Sequence, residues 1–163
     1  MKITYLGTGA AEGVPAQFCT CPVCREARKR GGREIRTRSQ TLIDEALCID
    51  YPPDAYAHSL AFGVDLSAIG ALLVTHSHMD HFYAHDFILR GYKYAREMTA
   101  KTLTIYGNEE VKKVFDECTR REMRQDVAAG IFFVTVRPFE EFGVGSYRVT
   151  AFPAVHTQAE DAL

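Results

Sequence analysis

The segment His76-Ser-His-Met-Asp-His81 sets four metal-ligand side chains, His76, His78, Asp80 and His81, within six residues. An apolar run at 72–74 precedes it. That run is short, continuous and partly β-branched, so it reads as a buried strand. A strand that ends by presenting imidazoles and a carboxylate can cradle a metal ion. Alternate residues of an extended segment point the same way, so His76 and His78 can reach one ion together. The turn that follows lets Asp80 and His81 face a second ion beside the first.

A different donor set stands nearer the start, in Cys19-Thr-Cys-Pro-Val-Cys24. Cys19, Cys21 and Cys24 offer soft thiolates at a spacing that suits a tetrahedral structural zinc, with a fourth ligand supplied from elsewhere. The alternative is three buried or unligated cysteines, but such cysteines are usually solitary. The chain has five cysteines, an odd number that argues against a simple disulfide framework. The first six residues form a strand pattern without the apolar core of a signal peptide. No apolar stretch has the length of a membrane span. A cytoplasmic location is the expectation, and clustered thiols in a reducing compartment more often bind metal.

The elements that must position these groups follow from patterning. Ile3, Tyr5 and Leu6 give a first strand, followed by a glycine-rich stretch at 7–13. Two readings of that stretch stay open, a turn between elements or a loop against a ligand. It is not the dinucleotide fingerprint, since the third glycine is displaced. Arg25, Arg28, Lys29, Arg30, Arg33, Arg36 and Arg38 make 25–38 the most basic stretch, with a short helix over 26–30. Such a run can meet phosphate, but more often it is a solvated face. The net charge of −2 disfavours nucleic acid as a partner, without excluding a local patch.

Residues 39–43 and 46–49 predict a hairpin around Asp44-Glu45, with Cys48 in the core. Asp50 closes the second strand. It either caps a helix over 53–62 or orients a ligand histidine. His58 in that helix is expected to be exposed and inert. After His81 the pattern predicts a helix over 82–96, with His85 a pocket or surface residue and not a ligand. A strand at 103–106, an amphipathic helix at 109–123 with Cys118 packed inside, and strands at 131–136 and 147–152 complete the chain. The last of these leads to His156. No repeat or linker interrupts the 163 residues, so one domain over 1–163 is expected.

The H-x-H-x-D-H pattern after a buried strand, preceded by Asp50 and followed by His156, resembles the metallo-β-lactamase superfamily. Gly7-Thr-Gly-Ala-Ala-Glu-Gly-Val-Pro15 followed by C-x-C-x-x-C is similar to two of its branches. One contains the phosphoribosyl cyclic phosphate phosphodiesterase of phosphonate breakdown. The other is the pyrroloquinoline-quinone biosynthesis protein B branch. Ribonuclease Z shares the metal motif without this cysteine cluster.

The resemblance implies an α/β fold, an αββα sandwich of two sheets between helices, and a hydrolase with two Zn²⁺ or Mn²⁺ ions. It assigns His76, His78 and His156 to the first metal, and Asp80 and His81 to the second. Asp80 then counts as catalytic, and Asp50 orients the ligands. Two ions about 4 Å apart lower the pKa of a shared water and make hydroxide available near neutral pH. They also clamp a phosphoryl oxygen. The implied substrate is a small cyclic or nucleotide-like phosphate ester. The alternatives are a ribonuclease Z-like nuclease, or a non-catalytic metal-binding or interaction protein.

Full family members continue to a bridging aspartate, a further histidine and a fourth ligand for the cysteine zinc. Asp161 is expected to follow no strand and to fill none of these roles. The chain is therefore expected to be the N-terminal portion of the fold, with a weak second metal position and little or no hydrolase activity of its own. An uncovered sheet face would invite aggregation or pairing into a homo-oligomer.

Overall fold

The computed structural model describes residues 1–157 and 160–162. Strands β1 (Ile3–Gly7), β2 (Gln40–Ile43), β3 (Leu47–Ile49), β4 (Ala71–Leu73), β5 (Leu103–Gly107) and β6 (Ile131–Thr135) form one mixed sheet in sequential order. The first two pairings are antiparallel and the remaining three are parallel. Beyond the sheet lie two hairpins, β7 (Glu141–Val144) with β8 (Tyr147–Thr150), and β9 (Ala154–Thr157) with β10 (Glu160–Ala162). The alternation of helices with parallel strands places the crossovers on the sheet face that carries the core.

Local chemistry explains the helix ends. Helix α1 (Pro22–Arg30) has proline in its first turn and stops at Gly31, whose φ is 63°. Helix α2 (Ala55–Phe62) ends at Gly63 in the left-handed region. Helix α3 (Glu109–Thr119) is capped by Asn108, whose side chain accepts from the Val111 N–H at 3.0 Å. Helix α4 (Gln125–Ala128) is a single turn. No helix among the described residues is long and apolar enough to cross a membrane.

The core gathers one face of the sheet, Leu6, Leu42, Cys48, Leu72 and Ile105, against Val111, Phe82 and Phe87. Cys48 is a core residue as expected. It is fully buried, and burial pushes its thiol up to about 12. The other sheet face leaves Tyr5 and Phe132 more than half exposed.

Four elements differ from the sequence expectations. The helix over 82–96 reduces to a 3₁₀ segment, Ala84–Leu89. The Tyr51 N–H donates to the His81 carbonyl and the Tyr83 N–H to the Tyr51 carbonyl, which draws the chain out alongside Tyr51 just after the histidines. Gly91 and Tyr92 then take positive φ, closing off any continuation. Second, the strand of 147–152 ends at Thr150, and His156 lies within a further strand, β9, of a separate hairpin. Third, Asp161, expected to follow no strand, falls within β10. Fourth, β7 was not foreseen, because Glu-Phe-Gly-Val is short and contains a glycine.

The expectation for His58 is overturned. It is 2% exposed, on the inward side of α2. Its Nδ1 lies 2.6 Å from Gln40 Oε1 and its Nε2 lies 2.7 Å from Thr37 Oγ1. The strand opposite must give way to it. A Cβ on Gly7 would lie 1.9 Å from the Arg38 carbonyl oxygen and 2.9 Å from the His58 ring. Gly7, the last residue of β1, is therefore required for close packing against Arg38 and His58.

Burial holds the His58 pKa below its ordinary 6.5, against the pull of Asp54. The unfolded chain thus takes up a proton before the folded one as the pH falls. The stability His58 supplies is present above 6.5 and lost as pH drops through the lowered folded value. Urea unfolding at pH 7.5 and pH 5.5 is expected to show a loss of stability on acidification that is smaller in His58→Gln. An equal loss in both proteins would contradict this.

Candidate metal centre

The parallel pairing of β3 with β4 builds the site. Its register sets Ile49 beside Leu73, so the next residues of both strands leave the sheet together at their carboxyl ends. From β3 comes Asp50; from β4 come Thr75 and His76. The Asp50 N–H donates to the Leu73 carbonyl at 2.8 Å, which extends the ladder by one residue. Asp50 has φ 61°, a left-handed conformation that aspartate tolerates better than most residues.

Asp50 is 2% exposed, and its carboxylate serves the histidines, not helix α2. One oxygen accepts from the Thr75 N–H and hydroxyl, both at 2.9 Å. The other lies 2.7 Å from His81 Nδ1. A carboxylate only accepts, so His81 donates through Nδ1 and turns Nε2 the other way, the nitrogen that carries the lone pair in the neutral ring. That Nε2 lies 3.4 Å from an Asp80 oxygen. Burial opposes the charged form of His81, but the hydrogen bond and charge of Asp50 outweigh it and hold the pKa above its ordinary value.

Thr75 carries the same arrangement to His76. Its hydroxyl lies 3.1 Å from His76 Nδ1 while donating to Asp50. His76 Nδ1–H then donates to the threonine oxygen, which leaves Nε2 to carry the lone pair in the neutral ring. Sequence reasoning missed Thr75. The only signal was a hydroxyl residue between the apolar run and the first histidine.

Three imidazoles pack around that of His76. Its ring centroid is 4.7 Å from His78, 4.2 Å from His81 and 4.4 Å from His156. His156 Nε2 reaches 3.2 Å from His78 Nδ1, although the two residues are 78 positions apart. One nitrogen each from His76, His78 and His156 lies within 4.8 Å of the others. Three nitrogen donors so close suit a divalent cation of the zinc type. The structure thus brings together His76, His78 and His156, and separately Asp80 and His81 beside them. His85 stands apart, exposed, with its ring 5.2 Å from Tyr83.

The cysteines also converge. The sulfurs of Cys19, Cys21 and Cys24 lie within 4.8 Å of one another, with Cys24 buried and Cys21 exposed. The backbone of Cys24 and the side chain of Cys19 draw the Cys21 thiol down to about 7. Cys21 sits at the N-cap of α1, where helix N–H groups favour the thiolate. At Cys24, the Ala16 N–H pulls the other way, but burial and the neighbouring sulfurs raise its pKa. No fourth donor joins them among the described residues. Two of the nearby arginines are occupied in holding this loop. Arg25 donates to the Thr20 carbonyl, and Arg28 to those of Cys19 and Ala16.

The fold is shared with solved structures. A diphosphatase from the PhnP family aligns over 98% of this chain with a TM-score of 0.75 and 23% identity. Zinc-bound PqqB from Methylobacterium extorquens aligns over 92% with a TM-score of 0.69 and 24% identity. Human tRNase Z, short form, aligns over 99% with a TM-score of 0.64 and 16% identity. The chain spans 60%, 55% and 62% of those proteins, respectively. An octanoyltransferase of Porphyromonas gingivalis (strain ATCC BAA-308 / W83) is 36% identical over 85 residues, which is 50% of this chain and 16% of that protein. The model of the beta-lactamase superfamily domain matches residues 48–162, a stretch that holds Asp50, the 76–81 motif and His156. The chain belongs to the beta-lactamase superfamily domain family.

Proposed function

We propose that this chain is the metal-binding part of a hydrolase that cleaves small phosphate esters, cyclic or nucleotide-like. The observation that carries the reading is the convergence of His76, His78 and His156 beside Asp80 and His81. His76, His78 and His156 would hold the first ion, and Asp80 with His81 the second, with zinc or manganese as the candidates. Once bound, such ions act as Lewis acids toward water and a phosphoryl oxygen.

The chain's own residues do the rest. Asp50 fixes the His81 tautomer directly and the His76 tautomer through Thr75, so both present a lone pair without reorganisation. Asp80 is 8% exposed with a carboxylate oxygen 3.4 Å from His81 Nε2, and in this reading it would help hold the second ion and so orient the attacking water. The names of two structural neighbours, a diphosphatase and a tRNase, support a phosphoryl substrate. The nuclease reading is weaker. The net charge is −2 and Arg25 and Arg28 are tied to backbone carbonyls, leaving less basic surface for a long phosphate backbone.

Turnover of bis(p-nitrophenyl) phosphate by the Mn²⁺- or Zn²⁺-loaded chain tests the substrate class, with nitrocefin as the lactam control. The expected result is slow phosphodiester hydrolysis, far below the roughly 10 s⁻¹ typical of enzymes, that disappears with His78→Ala. Faster cleavage of nitrocefin, or phosphodiester cleavage that survives His78→Ala, would contradict the reading.

The cysteine loop is read as a separate structural zinc site. Cys21→Ser is expected to release one zinc per chain and loosen residues 16–24, while the histidine cluster keeps its metal. Zinc content by mass spectrometry under native conditions checks this, and equal zinc in both proteins would count against it.

A further inference from the structure

A cavity of about 820 Å³ opens between α2 and the 82–98 segment, with Leu72 and Leu103 of the sheet as its floor. That volume is in the range of small-molecule sites. None of the four clustered histidines lines it. Its walls are rich in tyrosine. Tyr51 and Tyr83 are half-buried, and Tyr56 and Tyr94 stand exposed at the rim.

The polar groups in this cavity are unequal in what they already do. Asp65 accepts from the Ser67 N–H at 2.8 Å, which commits it to the turn before β4. Arg90 donates to the Ala100 carbonyl at 3.0 Å. Asp86 is different: it is half-buried and has no hydrogen bond or ion pair with another described residue. Burial pushes its carboxyl up, against a small opposing pull from His85. Half-burial in the cavity penalises the charged form of Asp86 while its oxygens stay open to the cavity, and a cation placed beside them offsets that penalty. Tyrosine rings lining the same cavity as a carboxylate suit an ammonium group.

We propose that this cavity binds a small organic cation, an ammonium group on an aromatic or apolar body, with Asp86 as its counter-ion and the tyrosines as its walls. The apolar floor at Leu72 and Leu103 takes the body of the ligand. The site is independent of the metal centre, so its ligand binds the metal-free chain as well.

Phenethylamine, charged at neutral pH, and 2-phenylethanol, its neutral counterpart, are the probes. Each is titrated into the ¹⁵N-labelled chain and followed by amide shifts. Phenethylamine is expected to give saturable shifts confined to residues around Tyr51, Tyr83 and Asp86. Asp86→Asn should weaken it about tenfold, the loss of one charge-assisted contact, and Tyr56→Leu at the exposed rim should weaken it by a few-fold. The melting temperature of Asp86→Asn should equal or exceed that of the parent, because no protein partner is lost. Equal binding of both probes, unchanged affinity in Asp86→Asn, shifts located elsewhere, or a fall in melting temperature in Asp86→Asn would each overturn the proposal.

Discussion

His76→Ala is expected to weaken zinc binding at the histidine cluster by roughly 100- to 1,000-fold, one ligand's share of the roughly 10–16 kcal/mol typical of a four-ligand zinc site. His76 is the centre of the cluster. It is 6% exposed, and its ring lies within 4.7 Å of the rings of His78, His81 and His156. Alanine there removes one donor and also the packing that holds the other three rings together. The measurement is zinc affinity by competition with a chromophoric chelator, in a chain whose Cys19, Cys21 and Cys24 are serine, so that sulfur does not mask the result. His85→Ala is the control. His85 stands apart from the cluster and should leave the affinity unchanged. Equal affinity of His76→Ala and the parent would remove His76 from the site.

Asp50→Asn is expected to lower metal affinity by about 10- to 100-fold without touching a ligand atom, the size typical of losing a group that orients a metal-binding histidine. Asp50 accepts from Thr75 and His81, and through Thr75 it sets His76. Asparagine keeps the shape and tolerates the positive φ of this position, but brings an amide N–H₂ where only acceptors fit. Leaving one buried donor unsatisfied costs about 1–3 kcal/mol, so a lower melting temperature should accompany the affinity loss. Thr75→Val separates the two histidines. It cuts the His76 connection and leaves the His81–Asp50 bond, so its effect on the three-histidine site should exceed its effect on the Asp80–His81 pair. An Asp50→Asn chain that binds metal like the parent would show that ligand orientation comes from packing alone.

The parts of the site that could be read from the sequence were those fixed by local spacing. Ligand-type residues at 76, 78, 80 and 81 follow a strand, and backbone geometry alone brings them near one another. The cysteines at 19, 21 and 24 were legible for the same reason. The strands at 103–107 and 131–135 and the helix between them were legible from their apolar patterning. What failed depended on distant partners. His58 looked like a surface residue because α2 is short and apolar on most sides, so periodicity does not mark its inward face. Its partners Thr37 and Gln40 lie about twenty positions away in sequence. The segment after His81 carries helical spacing, but its backbone is drawn out by Tyr51, a partner 30 positions earlier in the chain. Thr75 gave no sign of its double role, because one hydroxyl in a strand-like run is ordinary. Asp86 and its cavity are likewise a product of tertiary packing.

Zinc K-edge absorption of the chain with Cys19, Cys21 and Cys24 changed to serine, loaded with one equivalent of Zn²⁺, tests the central claim most directly. The account predicts a tightly held ion with a nitrogen and oxygen shell showing multiple imidazole scattering, and loss of that signal in the His76→Ala background. An ion that washes out on desalting, or a shell without imidazole scattering, would contradict it.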